Sequence, residues 1–138
     1  MAQSNYTGRP SAPLAKSGLV VAFLAAAGVL PTEQDAGAGG LVRAWGLNDY
    51  GQCNTPADLG SCSAIAAGFY HTVAIRIDGN VRAWGDNAGG QCNTPSDLGP
   101  CVAIAARGFH TVALRSDGIV RAWGRNIEGQ CNTPADLG

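Results

Sequence analysis

The sequence predicts an all-β chain assembled from stacked copies of one small unit, and three observations lead there. The run Val-Arg-Ala-Trp-Gly occurs at Val42–Gly46, Val81–Gly85 and Val120–Gly124, so that Trp45, Trp84 and Trp123 stand 39 residues apart. Residues 42–80 laid over 81–119 agree at 27 of 39 positions, so the whole unit is restated. Within each unit, short β-branched runs alternate with clusters of Gly, Asn, Asp and Pro, and no helical periodicity survives. A fixed period of this length marks an array in which each unit buries its apolar face against the next.

The elements follow in order. Residues 1–41 stand outside the clear repeat: they hold no acidic residue before Glu33, two basic ones (Arg9, Lys16), and a 13-residue apolar run at Gly18–Leu30. A basic stretch, a short apolar core and the small residues Ala36-Gly37-Ala38 are the parts of a secretory leader, and the low acidity suits an organelle transit segment. Two other readings stand beside these. One is a decayed repeat, because Leu14–Phe23 loosely echoes Leu114–Trp123; the other is an unstructured leader with no role. Location follows the choice: secretory or organellar if Gly18–Leu30 is a targeting core, cytoplasmic if the leader is inert. Then come the units 42–80 and 81–119 and an incomplete third, 120–138.

In each full unit, two strand-forming runs flank an Asp-Gly pair, Asp78-Gly79 or Asp117-Gly118, and this predicts a hairpin with a two-residue type I′ turn. Val81–Trp84 and Thr111–Arg115 are therefore expected to be strands. A third strand is predicted at Cys101–Ala106, apolar enough to be buried on both faces. The stretch from Gly85 to Pro100 is a loop by its turn chemistry. Three strands and one long loop per unit, at a period near 40, predict a β-propeller, here of about two and a half blades. The repeated Trp is expected to fill the space between neighbouring sheets. The glycine after it lets the backbone leave the strand at an angle closed to other residues.

Composition narrows the function. Charged residues make up only 14% and the net charge is −1, which leaves no electrostatic footprint for nucleic acid. No run reaches the 18 or so apolar residues of a membrane-spanning helix. The 20 glycines are about twice the usual share of roughly 7%, in keeping with a turn-rich chain.

Together these residues look familiar. The stretch from Ala83 to Gly124, with its Trp-Gly-x-Asn-x-x-Gly-Gln core and its His-Thr strand start, resembles the repeats of the regulator of chromosome condensation family. The 39-residue unit is more similar to bacterial propellers that inhibit β-lactamases than to the longer units of the chromatin protein. The resemblance covers residues 42–138 and implies a seven-bladed propeller that serves as a protein-binding platform. Members of the family include an exchange factor for a nuclear GTPase and HECT-type ubiquitin ligases. The chain holds fewer blades than a closed ring needs, so completing a propeller requires further repeats. Arg107 stands where the first copy has Gly68, a position that the family usually gives to glycine.

No catalytic, cofactor-binding or metal-binding residue is predicted. His71 and His110 are restated, whereas catalysis needs one singular constellation, and each is expected to bond to nearby backbone. The cysteines form two classes: Cys53, Cys92 and Cys131, and nine residues later Cys62 and Cys101. That spacing does not suit zinc. It leaves open local disulfides, Cys53–Cys62 and Cys92–Cys101, or buried free thiols. Asn5-Tyr6-Thr7 fits the N-glycosylation pattern.

The leading expectation is a protein-interaction module whose partner is an unidentified protein. The alternatives are a regulatory piece of a larger enzyme, either a GTPase exchange factor or a HECT-type ligase, and a structural segment with no partner. Residues that hold the fold should be restated between copies, while residues that face a partner are free to vary. The varying positions are Leu47, Asp49, Tyr50, Phe69, Tyr70, Asp86, Arg107, Phe109, Arg125, Ile127 and Glu128. They mix aromatic side chains with arginine, a common composition for binding anchors.

Overall fold

The computed structural model of the chain describes residues 19–24 and 39–137. The readings that rest on Met1–Gly18 and Ala25–Ala38, including the glycosylation pattern and most of the apolar run, lie outside the described residues. Eight strands and no helix appear among the described residues: β1 (Leu19–Leu24), β2 (Leu41–Gly46), β3 (Cys62–Ala67), β4 (His71–Arg76), β5 (Val81–Gly85), β6 (Cys101–Arg107), β7 (His110–Arg115) and β8 (Val120–Gly124). They form three antiparallel sheets, β1-β2, β3-β4-β5 and β6-β7-β8. Strand β3 lies against β1 and β2, and β6 lies against β3 and β4, so the sheets stack in chain order.

Several expectations change in detail. The Asp-Gly hairpins are not type I′, since among the described residues, Asp78 and Asp117 included, none other than glycine has a positive φ. Arg76 N–H donates to Asn80 O and Gly79 N–H to Arg76 O, enclosing a three-residue loop. Gly79, at φ 83°, is its left-handed residue, and Gly118 at 89° repeats the arrangement. The Asp78 and Asp117 carboxylates accept the N–H groups of Asn80 and Ile119, which settles the aspartate at this place. Strand β6 is not buried on both faces. It is a sheet edge paired only with β7, and Val102, Ala103 and Ala105 are exposed.

The echo of a repeat in the leader is also misaligned. Leu19–Leu24 pairs with β2 rather than taking the place of a Trp strand. Its register, Leu19 opposite Gly46 and Phe23 opposite Val42, matches that of His71 opposite Gly85 and Ile75 opposite Val81. Leu19–Leu24 thus stands where each full unit has its His-Thr strand.

Two cores lie between the sheets. Val42, Leu59, Cys62, Ala74 and Trp84 make the first; Val73, Ile75, Val81, Leu98, Cys101, Ala113 and Trp123 make the second. Each joins a three-stranded sheet to the loop that precedes it in the chain, and polar contacts follow the same rule. The main-chain carbonyl of Gln52 accepts the Thr72 hydroxyl at 2.9 Å and the Trp84 indole N–H at 3.0 Å. The Gln91 carbonyl does the same for Thr111, at 3.1 Å, and Trp123, at 3.0 Å. The Arg82 guanidinium forks onto the Asp58 carboxylate, and Arg121 onto Asp97. Trp84 and Trp123 are each 8% exposed, while Trp45 is 48% exposed. The tryptophan is buried where a preceding loop seats it.

A Trp84→Phe chain keeps the ring but loses the donor. It is expected to be destabilised by about 2 kcal/mol, from the lost hydrogen bond and a small void. A urea midpoint equal to that of the parent chain would show that the Gln52 carbonyl contributes nothing to this junction.

Candidate functional site

The first strand of each three-stranded sheet, β3 or β6, leads into a tip, Gly68-Phe69-Tyr70 or Arg107-Gly108-Phe109, just before the His-Thr strand. Three backbone hydrogen bonds draw the tips together with the loops that follow each Trp-Gly. Phe69 N–H donates to Gly108 O at 3.1 Å, Asp86 N–H to Tyr70 O at 2.8 Å, and Arg125 N–H to Phe109 O at 2.9 Å. The buried Gln52 side chain accepts Tyr50 N–H at 2.9 Å and holds that residue over the first tip.

The result is a continuous aromatic surface. Tyr50 lies 4.8 Å from Tyr70, ring centre to ring centre; Tyr70 lies 6.0 Å from Phe109, and Phe69 6.1 Å from Phe109 in an edge-to-face arrangement. These separations suit tilted and edge-on ring pairs. The Arg125 guanidinium stands 5.9 Å from the Phe109 ring centre, within cation–π range, and pairs with Glu128 at 3.6 Å. Tyr50 and Phe69 are exposed, and Tyr70 and Phe109 are half-buried beside them.

Of the varying positions, the structure therefore unites Tyr50, Phe69, Tyr70, Phe109, Arg125 and Glu128. Asp86 varies but serves its own loop, its carboxylate accepting Ala88 N–H and the Gln91 side-chain amide. Leu47 is half-buried, and its carbonyl takes the Cys53 thiol. Asp49, Arg107 and Ile127 are exposed, and among the described residues no hydrogen bond, ion pair or ring contact joins them to the cluster.

The restated loop residues form the frame. Asn48 donates to the Asn54 side chain at 2.8 Å and accepts Cys53 N–H at 2.8 Å; Asn87 with Asn93 and Asn126 with Asn132 repeat this latch. All five cysteines are free thiols. Cys62 and Cys101 are buried as expected, whereas Cys53, Cys92 and Cys131 are only half-buried and donate to loop carbonyls. Burial, aided by the Asp86 charge, pushes the Cys92 thiol up to about 11, and burial raises the other four. These thiols stay protonated at neutral pH.

His71 differs from expectation. His71 Nε2 bonds at 3.0 Å to the Thr111 hydroxyl of the next unit, not to backbone. The single Thr111 hydroxyl proton goes to Gln91 O, so His71 must be the donor and its Nδ1 carries no proton. Burial pushes its pKa down to about 4, with Asp86 opposing and His110 adding to the shift. A Cβ at position 68 would collide with the His71 ring, which is why glycine stands there. At Arg107 the strand continues one residue further, and the following His110 is only half-buried.

The model of the regulator of chromosome condensation (RCC1) repeat matches residues 62–91 and 101–130, two stretches offset by the 39-residue period. Residues 62–91 and 101–130 carry RCC1 repeats. No curated protein matches the sequence. Among solved structures, the RCC1 repeats of this chain are similar to human WBSCR16, at 23% identity and a TM-score of 0.61 over 69% of the chain and 32% of WBSCR16. Prp20p from Saccharomyces cerevisiae is 24% identical, with a TM-score of 0.57 over 70% of the chain and 29% of Prp20p. The ectodomain of the Physcomitrella patens receptor kinase CR4 is 26% identical, with a TM-score of 0.53 over 60% of the chain and 23% of the ectodomain. The chain thus spans a third or less of the structures it matches, and its fold is a fragment of a β-propeller.

Proposed function

We propose that this RCC1-repeat fragment is a protein-interaction module that binds through the aromatic surface of its unit tips. The observation that carries this reading is the convergence of Tyr50, Phe69, Tyr70 and Phe109, with Arg125, at positions that differ between copies. The fold does not need the Tyr50 and Phe69 rings at those places, since Gly89 and Gly108 stand in the equivalent positions; Tyr70 and Phe109 are equivalent to each other, so both copies keep a ring there. Exposed aromatic rings beside an arginine are the side chains that dominate protein–protein interfaces. The crystal structures of similar proteins are described as yeast RCC1 (Prp20) bound to Kap60, and as Prp20p with binding properties to Gsp1p and histones. That record lends support to a protein partner, and a regulatory role beside a GTPase is a finer reading of the same kind.

The test is a chain with Tyr50, Phe69 and Arg125 changed to alanine, used beside the parent as bait for proteins that the parent retains. Each loss at the centre of an interface is worth about 2 kcal/mol or more, so retention should fall at least about thirtyfold. A variant that folds and retains its partners as well as the parent would place binding elsewhere.

A further inference from the structure

The junction between units has two complementary halves, and both are exposed elsewhere on this chain. The donor half is a tryptophan and an arginine on the last strand of a sheet. The acceptor half is the preceding loop, which offers a glutamine carbonyl, an aspartate and a leucine. At the two internal junctions these close as Trp84 and Arg82 on Gln52, Asp58 and Leu59, and as Trp123 and Arg121 on Gln91, Asp97 and Leu98. On β2, Trp45 and Arg43 occupy the donor positions; Trp45 is exposed and so is Arg43. In the loop after β8, Gln130, Asp136 and Leu137 occupy the acceptor positions.

This second loop is already shaped for its role. Leu137 N–H donates to Pro134 O at 3.2 Å, as Leu59 donates to Pro56 O and Leu98 to Pro95 O at 3.1 Å. Gln130 takes Glu128 N–H on its side chain just as Gln52 takes Tyr50 N–H. Yet Leu137 is 49% exposed where Leu59 and Leu98 are 2% and 3%, and Leu114 is 37% exposed where its equivalent Ile75 is 1%. Among the described residues the apolar face of the β6-β7-β8 sheet is therefore open, and the internal junctions show what shape of surface covers it.

We infer that a second copy of this chain covers it. The β1-β2 sheet of one copy stacks on the β6-β7-β8 sheet of another, Trp45 N–H donates to the Gln130 carbonyl, and Arg43 forks onto Asp136. The joint has no counterpart of the hydrogen bonds that the Thr72 and Thr111 hydroxyls make, because the backbone register puts Val20 opposite Trp45. The contact is heterologous, head to tail, so copies can add beyond two unless the ring closes. Trp45 and Leu137, which carry the test below, lie outside the aromatic cluster, so the failure of either reading can be told from that of the other.

Sedimentation velocity of the purified chain tests this. The mean mass is expected to rise above that of one 14.0 kDa chain as concentration increases. Trp45→Ala alters only the donor half and Leu137→Asp only the acceptor half. Both residues are about half exposed in the single chain, so both variants should keep the parent circular dichroism. Each variant alone should associate at least about thirtyfold more weakly, the cost of removing a dominant interface side chain. Mixed together, the two should form a complex of one copy each and go no further, since each retains one intact half. An Arg43→Asp, Asp136→Arg double variant should associate again where either single change does not. A chain that stays monomeric at every concentration overturns the inference. So does association that survives both Trp45→Ala and Leu137→Asp, or a mixture of the two that grows past one copy of each.

Discussion

A Gly85→Ala chain is expected to lose more than about 3 kcal/mol of stability, a large share of what a domain of ordinary marginal stability has. Gly85 leaves strand β5 at φ 107°, a conformation that alanine adopts only under strain. Its missing side chain also makes room for three pieces of backbone. A Cβ there would press on Tyr70 O, would lie 2.9 Å from His71 Cα, and would lie 3.1 Å from Gln52 Cα. None of these can swing aside as a flexible side chain could, and Gln52 is the residue whose carbonyl receives Trp84 and Thr72. Gly118→Ala is the control: φ is also positive, at 89°, but a Cβ there meets nothing within 4 Å. That change is expected to cost about 1 kcal/mol, from the conformational term alone. Urea denaturation followed by tryptophan fluorescence separates the two, and equal losses would mean that the close approach at Gly85 carries no weight.

Acidification is expected to weaken the fold between pH 6.5 and pH 4. His71 has a folded pKa of about 4 against an ordinary 6.5. In that window the unfolded chain takes up the proton and the folded chain refuses it, so stability falls as pH falls and levels off below about 4. The loss approaches about 3 kcal/mol, because every tenfold drop in proton affinity on folding is worth about 1.4 kcal/mol. The physical cause is local. Nε2 is committed to Thr111, and the buried Nδ1 has no partner to receive a proton. The aspartates whose pKa values are lowered, Asp78 through backbone N–H groups and Asp97 through Arg121, lose their contributions only below the ordinary carboxylate value of 3.8. They leave the upper window to the histidine. A His71→Gln chain should start less stable and show a flat urea midpoint from pH 6.5 to 4; a slope that persists in it would assign the effect to another group.

The residues make the strands legible, but not the atoms that join one unit to the next. Val81–Gly85 and His110–Arg115 declare themselves by β-branched content and by the glycine at the turn, which is local information. The Gln52 carbonyl is main chain and carries no residue-type signal. Its partners, Thr72 and Trp84, lie 20 and 32 residues away, and repetition shows only that they are restated. The Arg82–Asp58 fork, 24 residues apart, is hidden for the same reason, although Arg and Asp recur in step in every copy. Sequence alone gives His71 its own backbone as partner, because the true one, Thr111, belongs to the next unit. The candidate site is readable in part. Comparing the copies picks out Tyr50, Phe69, Tyr70, Phe109 and Arg125, which do converge. The same comparison also picks out Leu47 and Asp86, which the loops employ internally, because variation alone cannot separate a free side chain from one with a private hydrogen bond.

The shared carbonyl has a consequence for how such a gene can grow. Because Gln52 and Gln91 each complete the sheet that follows them in the chain, the junction is written once per period and not at any special boundary. An in-frame duplication of one whole period, begun at any residue of the array, would restate every donor beside its acceptor. The product would contain no new kind of contact and no strand without its neighbour. Lengthening by copying is then close to neutral for the fold at birth, and later substitution is free to act on the tips alone.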